Sequence, residues 1–131
     1  MSTESVVQQY TRLMMAQAGG LPMRNNVGVA IDATGRHIRY GLMNESKQQN
    51  RQFKSSDVVG PVPIVIQSHH VGKILGVLAT FECKHSDWKY SPNDEHSVAQ
   101  NRFHELMRSV GCIAGFVTDG NQVPTYIDMF R

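Results

Sequence analysis

Apolar side chains recur at three- and four-residue spacing from residue 3 to residue 18, where Val6, Val7, Tyr10, Leu13 and Met14 align with Gln17 in one stripe. That period predicts an amphipathic helix. Ser2 or Thr3 can cap it, and Glu4 puts a carboxylate in the first turn, where the helix dipole favours one. Gly19-Gly20 ends the helix before Pro22. Two short β-prone runs, VGVAI and HIRY, then flank Asp32-Ala33-Thr34-Gly35-Arg36, a composition that predicts a hairpin. Residues 43–56 are polar, with Lys47, Arg51 and Lys54 against Glu45, and read as a mobile loop. Val62–Ile66 and Ile74–Cys83 are dense apolar runs, and the QSHHVGK link between them can turn the chain back. Ser91 before Pro92 opens a helix reaching about Val110 and stopped by Gly111. Ile113–Thr118 is a further strand, Asp119-Gly120-Asn121 a turn, and VPTYIDMFR an apolar tail able to dock as a helix or meet a partner. A long helix between Ile74–Lys84 and Ile113–Thr118 is a crossover, which favours parallel pairing of those strands. The class is α/β.

Composition narrows the class without changing it. The chain has 131 residues, of which 40% are hydrophobic and 18% charged, as in a folded globule. Its length suggests one domain over residues 1–131, with no repeat and no internal boundary. No apolar run approaches the ~18 residues that cross a bilayer, so no membrane association is expected. The first residues, MSTESVVQQYTR, lack the basic and apolar pattern of a secretory signal. Cys83 and Cys112 both sit in apolar runs and read as reduced thiols of a cytoplasmic-type protein.

The segment GVLATFECK carries the most chemistry. Side chains alternate along a strand, so Val77, Ala79, Phe81 and Cys83 share one face and Leu78, Thr80, Glu82 and Lys84 the other. Glu82 and Lys84 thus project together at the strand's C-terminal end, where α/β sheets place ligands. A carboxylate beside an ammonium suits metal-assisted hydrolysis: the acid holds a hard divalent cation and the lysine orients water or neutralises developing charge. Taken alone, such a pair is an ordinary surface ion pair. One acid rarely holds Mg²⁺, and Asp57, at the head of the preceding strand, would come beside Glu82 if the chain returns through a hairpin at His69–Lys73. On the following helix Ala99, Phe103, Leu106 and Val110 form the expected buried stripe, and Gln100 borders it facing inward.

Asp57, Glu82-Cys83-Lys84, Gln100 on the next helix and the strand entry VGCIAGFV, in that order, resemble the VRR-NUC nucleases of the PD-(D/E)XK superfamily. The segment RNNVGVAIDATGRHIRYGL resembles the small phage-type members of that family, and the likeness covers most of residues 3–118. The resemblance implies a restriction-endonuclease-like core, a central mixed β-sheet flanked by helices, and a metal-dependent DNA endonuclease. Asp57 and Glu82 would bind Mg²⁺ or Mn²⁺ together with the backbone carbonyl of Cys83. Lys84 would position or activate the attacking water, Gln100 would buttress Lys84 or that water, and Glu4 matches the family's N-terminal acid. Small members resemble structure-specific enzymes of the Holliday-junction type, which implies branched DNA as substrate, a homodimer, and a bacterial host cytoplasm if phage-encoded. The polar stretch 43–56 is longer than the short link this pattern leads one to expect.

Charge distribution bears on that partner. The net charge is only +2, yet Arg24, Arg36, Arg39, Lys47, Arg51, Lys54 and Lys73 precede Glu82, so they could present a basic face to phosphates. Asn25 and Asn26 suit either a backbone contact or a turn, and His69 and His70 suit a turn. Trp88 and Tyr90 read as a loop anchor or as a stacking wedge for an unpaired base. Tyr126, Ile127, Met129 and Phe130 could contribute to a dimer face. A zinc site built from Cys83, His85, His96, His104 and Cys112 lacks any Cys-x-x-Cys or His-x-x-x-His spacing. The alternatives are a non-catalytic DNA-binding module of the same fold, and a flap or RNA nuclease.

Overall fold

The computed structural model describes residues 3–131, so Ser2, the other candidate helix cap, lies outside the described residues. The chain divides after Gly60 into two compact units. Among the described residues, no helix is long and apolar enough to cross a membrane.

In the first unit α1 spans Glu4–Gln17, and the Thr3 hydroxyl accepts from the Val6 N–H at 3.3 Å. The apolar period forms the helix as expected, but the stripe is not covered: Val6, Val7, Tyr10, Leu13 and Met14 are all exposed. The predicted hairpin is β2 (Gly28–Ile31) against β3 (His37–Tyr40), antiparallel, with Gly28 opposite Tyr40 and Ile31 opposite His37. Asp32 builds its turn, accepting from the Thr34 and Arg36 N–H groups and the Thr34 hydroxyl, while Gly35 takes the left-handed conformation at φ 83°. A second ladder pairs β1 (Met23–Arg24) with β4 (Val58–Val59).

Two buried asparagines hold these pieces. The Asn25 amide donates to Ser55 Oγ and the Ser56 carbonyl and accepts from the Leu42 N–H. The Asn44 amide donates to the Gly28 and Tyr40 carbonyls, fastening both hairpin strands. Asn44 and a short helix, α2 (Lys47–Gln52), capped by Ser46, give structure to the polar stretch 43–56 that composition marks as a loop. A buried amide with all its partners is worth more here than the sparse apolar residues would suggest.

The second unit is a βαβ crossover. β5 (Ala79–Cys83) runs parallel to β6 (Ile113–Val117), with Ala79 opposite Ile113 and Cys83 opposite Val117. Between them lies α3 (Glu95–Ser109), where the Asp94 carboxylate caps the His96 N–H and accepts from the Ser97 hydroxyl at 2.6 Å. Arg108 Nη1 donates to the Ala114 carbonyl at 2.8 Å and ties the last turn to β6. The buried face of α3 is Ser97, His104 and Met107, with Gln100 half-buried between them. That corrects the expected stripe: Phe103 and Leu106 are exposed, and the face turned inward lies about a quarter turn round the helix from the one they share. After β6, α4 (Val123–Phe130) packs back on it, and the Tyr126 hydroxyl donates to the Phe116 carbonyl at 2.8 Å over Gly115, where only a glycine leaves room. Cys83 is exposed and Cys112 buried, both as free thiols, and burial pushes the Cys112 thiol up.

The expected central mixed sheet is not what forms. The described residues make three two-stranded sheets, β1–β4, β2–β3 and β5–β6. Val62–Ile66, predicted as a strand, has no ladder among the described residues, and the return through Ser68–His70 and Gly72 does not pair with it. Its side chains are bare on both faces, with Ile64 at 62% and Val65 at 78% exposure, and Ile74 reaches 98%.

Candidate functional site

Glu82 stands near the C-terminal end of β5 and Lys84 directly follows it, where the Lys84 N–H extends the ladder to the Val117 carbonyl at 2.9 Å. The Lys84 ammonium lies 3.9 Å from Glu82 Oε1, with only 16% of its side chain exposed against 40% for Glu82. Aromatic rings account for that burial: the Lys84 Nζ sits 5.5 Å from the Trp88 ring centroid and 6.0 Å from that of Phe116. Trp88 in turn packs on Phe116 at 4.6 Å. A cation held between a carboxylate and two ring faces loses its freedom to wander.

Glu82 also lines a cleft of about 330 Å³ between β5 and α3, with Thr80, Phe81, His96, Ala99, Gln100, Phe103 and His104. The structure therefore brings Glu82 to Lys84 and, through the cleft, Glu82 to Gln100. His104 is 2% exposed and meets the Phe116 ring edge-on at 4.6 Å. Burial holds its imidazole below the usual value, helped by the Arg108 guanidinium and opposed by Glu82. Of the polar lining residues, Thr80 had been given no part in the chemistry, and His104 had been weighed only for a zinc site without ligand spacing. Their signals were present, since Thr80 shares the Glu82 face of the strand and His104 lies one helical turn beyond Gln100.

Three other ligands were expected, Glu4, Asp57 and the backbone carbonyl of Cys83. Glu4, in the first turn of α1, and Asp57, just ahead of β4, belong to the first unit, where both are exposed. Cys83 offers its backbone carbonyl from β5. Among the described residues, no three His, Cys, Asp or Glu side chains gather in a metal-binding group, whether of the carboxylate type or of the zinc type.

Of the expected phosphate contacts, Arg24, Arg36, Lys47, Arg51 and Lys54 are exposed in the first unit and Lys73 in the second. Arg36 lies 3.6 Å from Asp32, and Lys54 donates to Asn50. Arg39 is spent on structure: its Nε and Nη2 donate to the carbonyl and side-chain oxygens of Asn44 at 3.2 and 2.9 Å. Asn25 likewise serves the fold. The first unit carries seven Lys and Arg against four Asp and Glu, a net +3, and the second six against seven, a net −1.

Comparison of the chain with protein-family models, with curated proteins and with solved structures finds no match.

Proposed function

We propose that the chain is a Mg²⁺- or Mn²⁺-dependent endonuclease that hydrolyses phosphodiester bonds of DNA, acting as a homodimer on branched, Holliday-junction-like substrates. The observation that carries the reading is the pairing of Glu82 with Lys84 at the end of β5 while Gln100, from the helix that follows, shares the Glu82 cleft. An ion pair alone is commonplace; one immobilised on aromatic faces, with its carboxylate in a cleft, has the preorganisation that charge-stabilising catalysis needs. The family likeness of the motifs supplies the substrate class, the dimer and the parts assigned to Asp57 and Glu4.

Glu82 with the Cys83 carbonyl in the second unit, and Asp57 and Glu4 in the first, are the residues that the family likeness would have hold the ion, and carboxylate and carbonyl oxygens are the donors a hard divalent cation takes. When bound, the ion supplies Lewis-acid polarisation of the phosphate and a more acidic bound water. Lys84 holds a fixed positive charge next to Glu82, where it balances the charge that builds on phosphate oxygens and orients the water. Gln100 steadies this pair from the helix side. The net positive charge of the first unit favours a polyanionic partner, with Arg24, Lys47 and Arg51 as exposed contacts.

The test is cleavage of four-way junction and linear DNA by the wild-type protein and by Lys84→Ala, with Mg²⁺, with Mn²⁺ and with chelator. The reading expects metal-dependent cutting of the junction and a loss of about 10²-fold or more in Lys84→Ala, the scale at which loss of one charge-stabilising group is felt. DNA binding without cutting by either protein would instead indicate a binding module. Preference for flaps or RNA across the substrate panel would move the substrate class.

A further inference from the structure

Three buried side-chain atoms among the described residues lack a hydrogen-bond partner: Thr80 Oγ1, Gln100 Oε1 and His104 Nδ1. They are not scattered. All three residues line the cleft that holds Glu82, Thr80 from β5 and the other two from neighbouring turns of α3. A buried polar atom left unpaired is costly, and three in one place call for a common partner.

Their chemistry is mutually complementary. A threonine hydroxyl has one proton to donate, a carboxamide oxygen accepts, and a carboxamide nitrogen has two protons to give. A neutral imidazole protonated on Nε2 accepts at Nδ1. We propose that Thr80 and His104 are positioning residues for Gln100. The Thr80 hydroxyl donates to Gln100 Oε1, and one Gln100 Nε2–H donates to His104 Nδ1. The second N–H is then the only free end of the amide, and it faces the cleft toward the Glu82 carboxylate. Their placement favours it, since residues 100 and 104 are helix neighbours and Thr80 lines the same cleft from the strand. Phe116, edge-on to His104, restrains the imidazole plane.

The consequence rests on the endonuclease reading: Gln100 presents a donor that fixes Glu82 and not an oxygen that binds metal. The arrangement itself needs neither metal nor DNA, so it is tested first without them. In protein ¹⁵N-labelled at glutamine and histidine, the Gln100 side-chain amide should exchange with solvent at least tenfold more slowly than those of exposed glutamines. His104 should carry its proton on Nε2. Thr80→Val and His104→Phe should each return the Gln100 amide to fast exchange, and Thr80→Ser should keep it slow. In the cleavage assay the first two variants should lower kcat about tenfold with KM for DNA unchanged, and Thr80→Ser, which keeps the hydroxyl, should recover most of the loss seen in Thr80→Val.

A Gln100 amide that exchanges freely in the wild-type protein would overturn the proposal. So would one whose protection survives in folded Thr80→Val. Protection of Gln100 in a protein that cuts no DNA would leave the positioning network standing and remove the endonuclease reading.

Discussion

His104 concentrates the tension between stability and chemistry at a single side chain. Its imidazole is held below the usual value by burial, so the unfolded chain takes up a proton first as pH falls. The stability due to keeping this ring neutral is complete above about pH 6.5 and is lost as pH drops through the folded-state value. The carboxylates of Asp32 and Asp94 are held low by the Thr34 and Ser97 hydroxyls respectively, so their share falls away only from about pH 4 downward. Thermal melts between pH 7.5 and 5 should therefore show a declining midpoint in the wild-type protein and a shallower decline in His104→Phe, which keeps a ring against Phe116. Equal slopes in the two proteins would mean that His104 does not sense pH. Arg39 makes a converse point: a residue that composition offers as a phosphate contact is committed to Asn44. Arg39→Ala should lower stability, as loss of charged hydrogen bonds of about 1.5–3 kcal/mol predicts, and should affect DNA affinity less than Arg51→Ala.

Elements were legible wherever their cause is local. The α1 period and the Asp32–Gly35 turn follow from neighbours in sequence, and the parallel pairing of β5 with β6 follows from the helix that joins them. What depends on distant partners was not legible. Val62–Ile66 is β-branched enough to be a strand, yet a strand exists only through its ladder, and none forms. The face that α3 turns inward also escaped a count of apolar residues, because Ser97 at 0% and His104 at 2% exposure displace Phe103 and Leu106. Glu82, Lys84 and Gln100 were legible by spacing, and Thr80 and His104 had the spacing to join them, whereas the burial of His104 against Phe116 needed the packing of α3 on β6. Two substitutions test that packing. Gly115→Ala puts a methyl group against the Tyr126 ring and hydroxyl, and should cost about 1–3 kcal/mol as overpacking does. Gly76→Ala meets nothing within 4 Å and should leave the melting temperature unchanged. Amide exchange should likewise be slow along β5 and β6 and fast over residues 62–66 and 74–77, the reverse of what the apolar content of those segments suggests.

At the scale of the whole molecule, a net charge of +2 hides a division between a first unit of +3 and a second of −1. If the first unit supplies the phosphate contacts, affinity for DNA should fall steeply with salt, because neutralised phosphates release counterions. Binding that is insensitive between 50 and 200 mM salt would point away from nucleic acid altogether. The central claim, that Glu82 and Lys84 form the working pair of a metal-dependent endonuclease, meets its most direct test in one measurement. That measurement is single-turnover cleavage of a labelled four-way junction in Mg²⁺ by wild-type protein and Lys84→Ala, with the fold of both checked by circular dichroism. The account predicts metal-dependent product from the wild-type protein and about 10²-fold or more less from the folded variant. Equal cleavage by the two proteins, or none by either in Mg²⁺ or Mn²⁺, would contradict it.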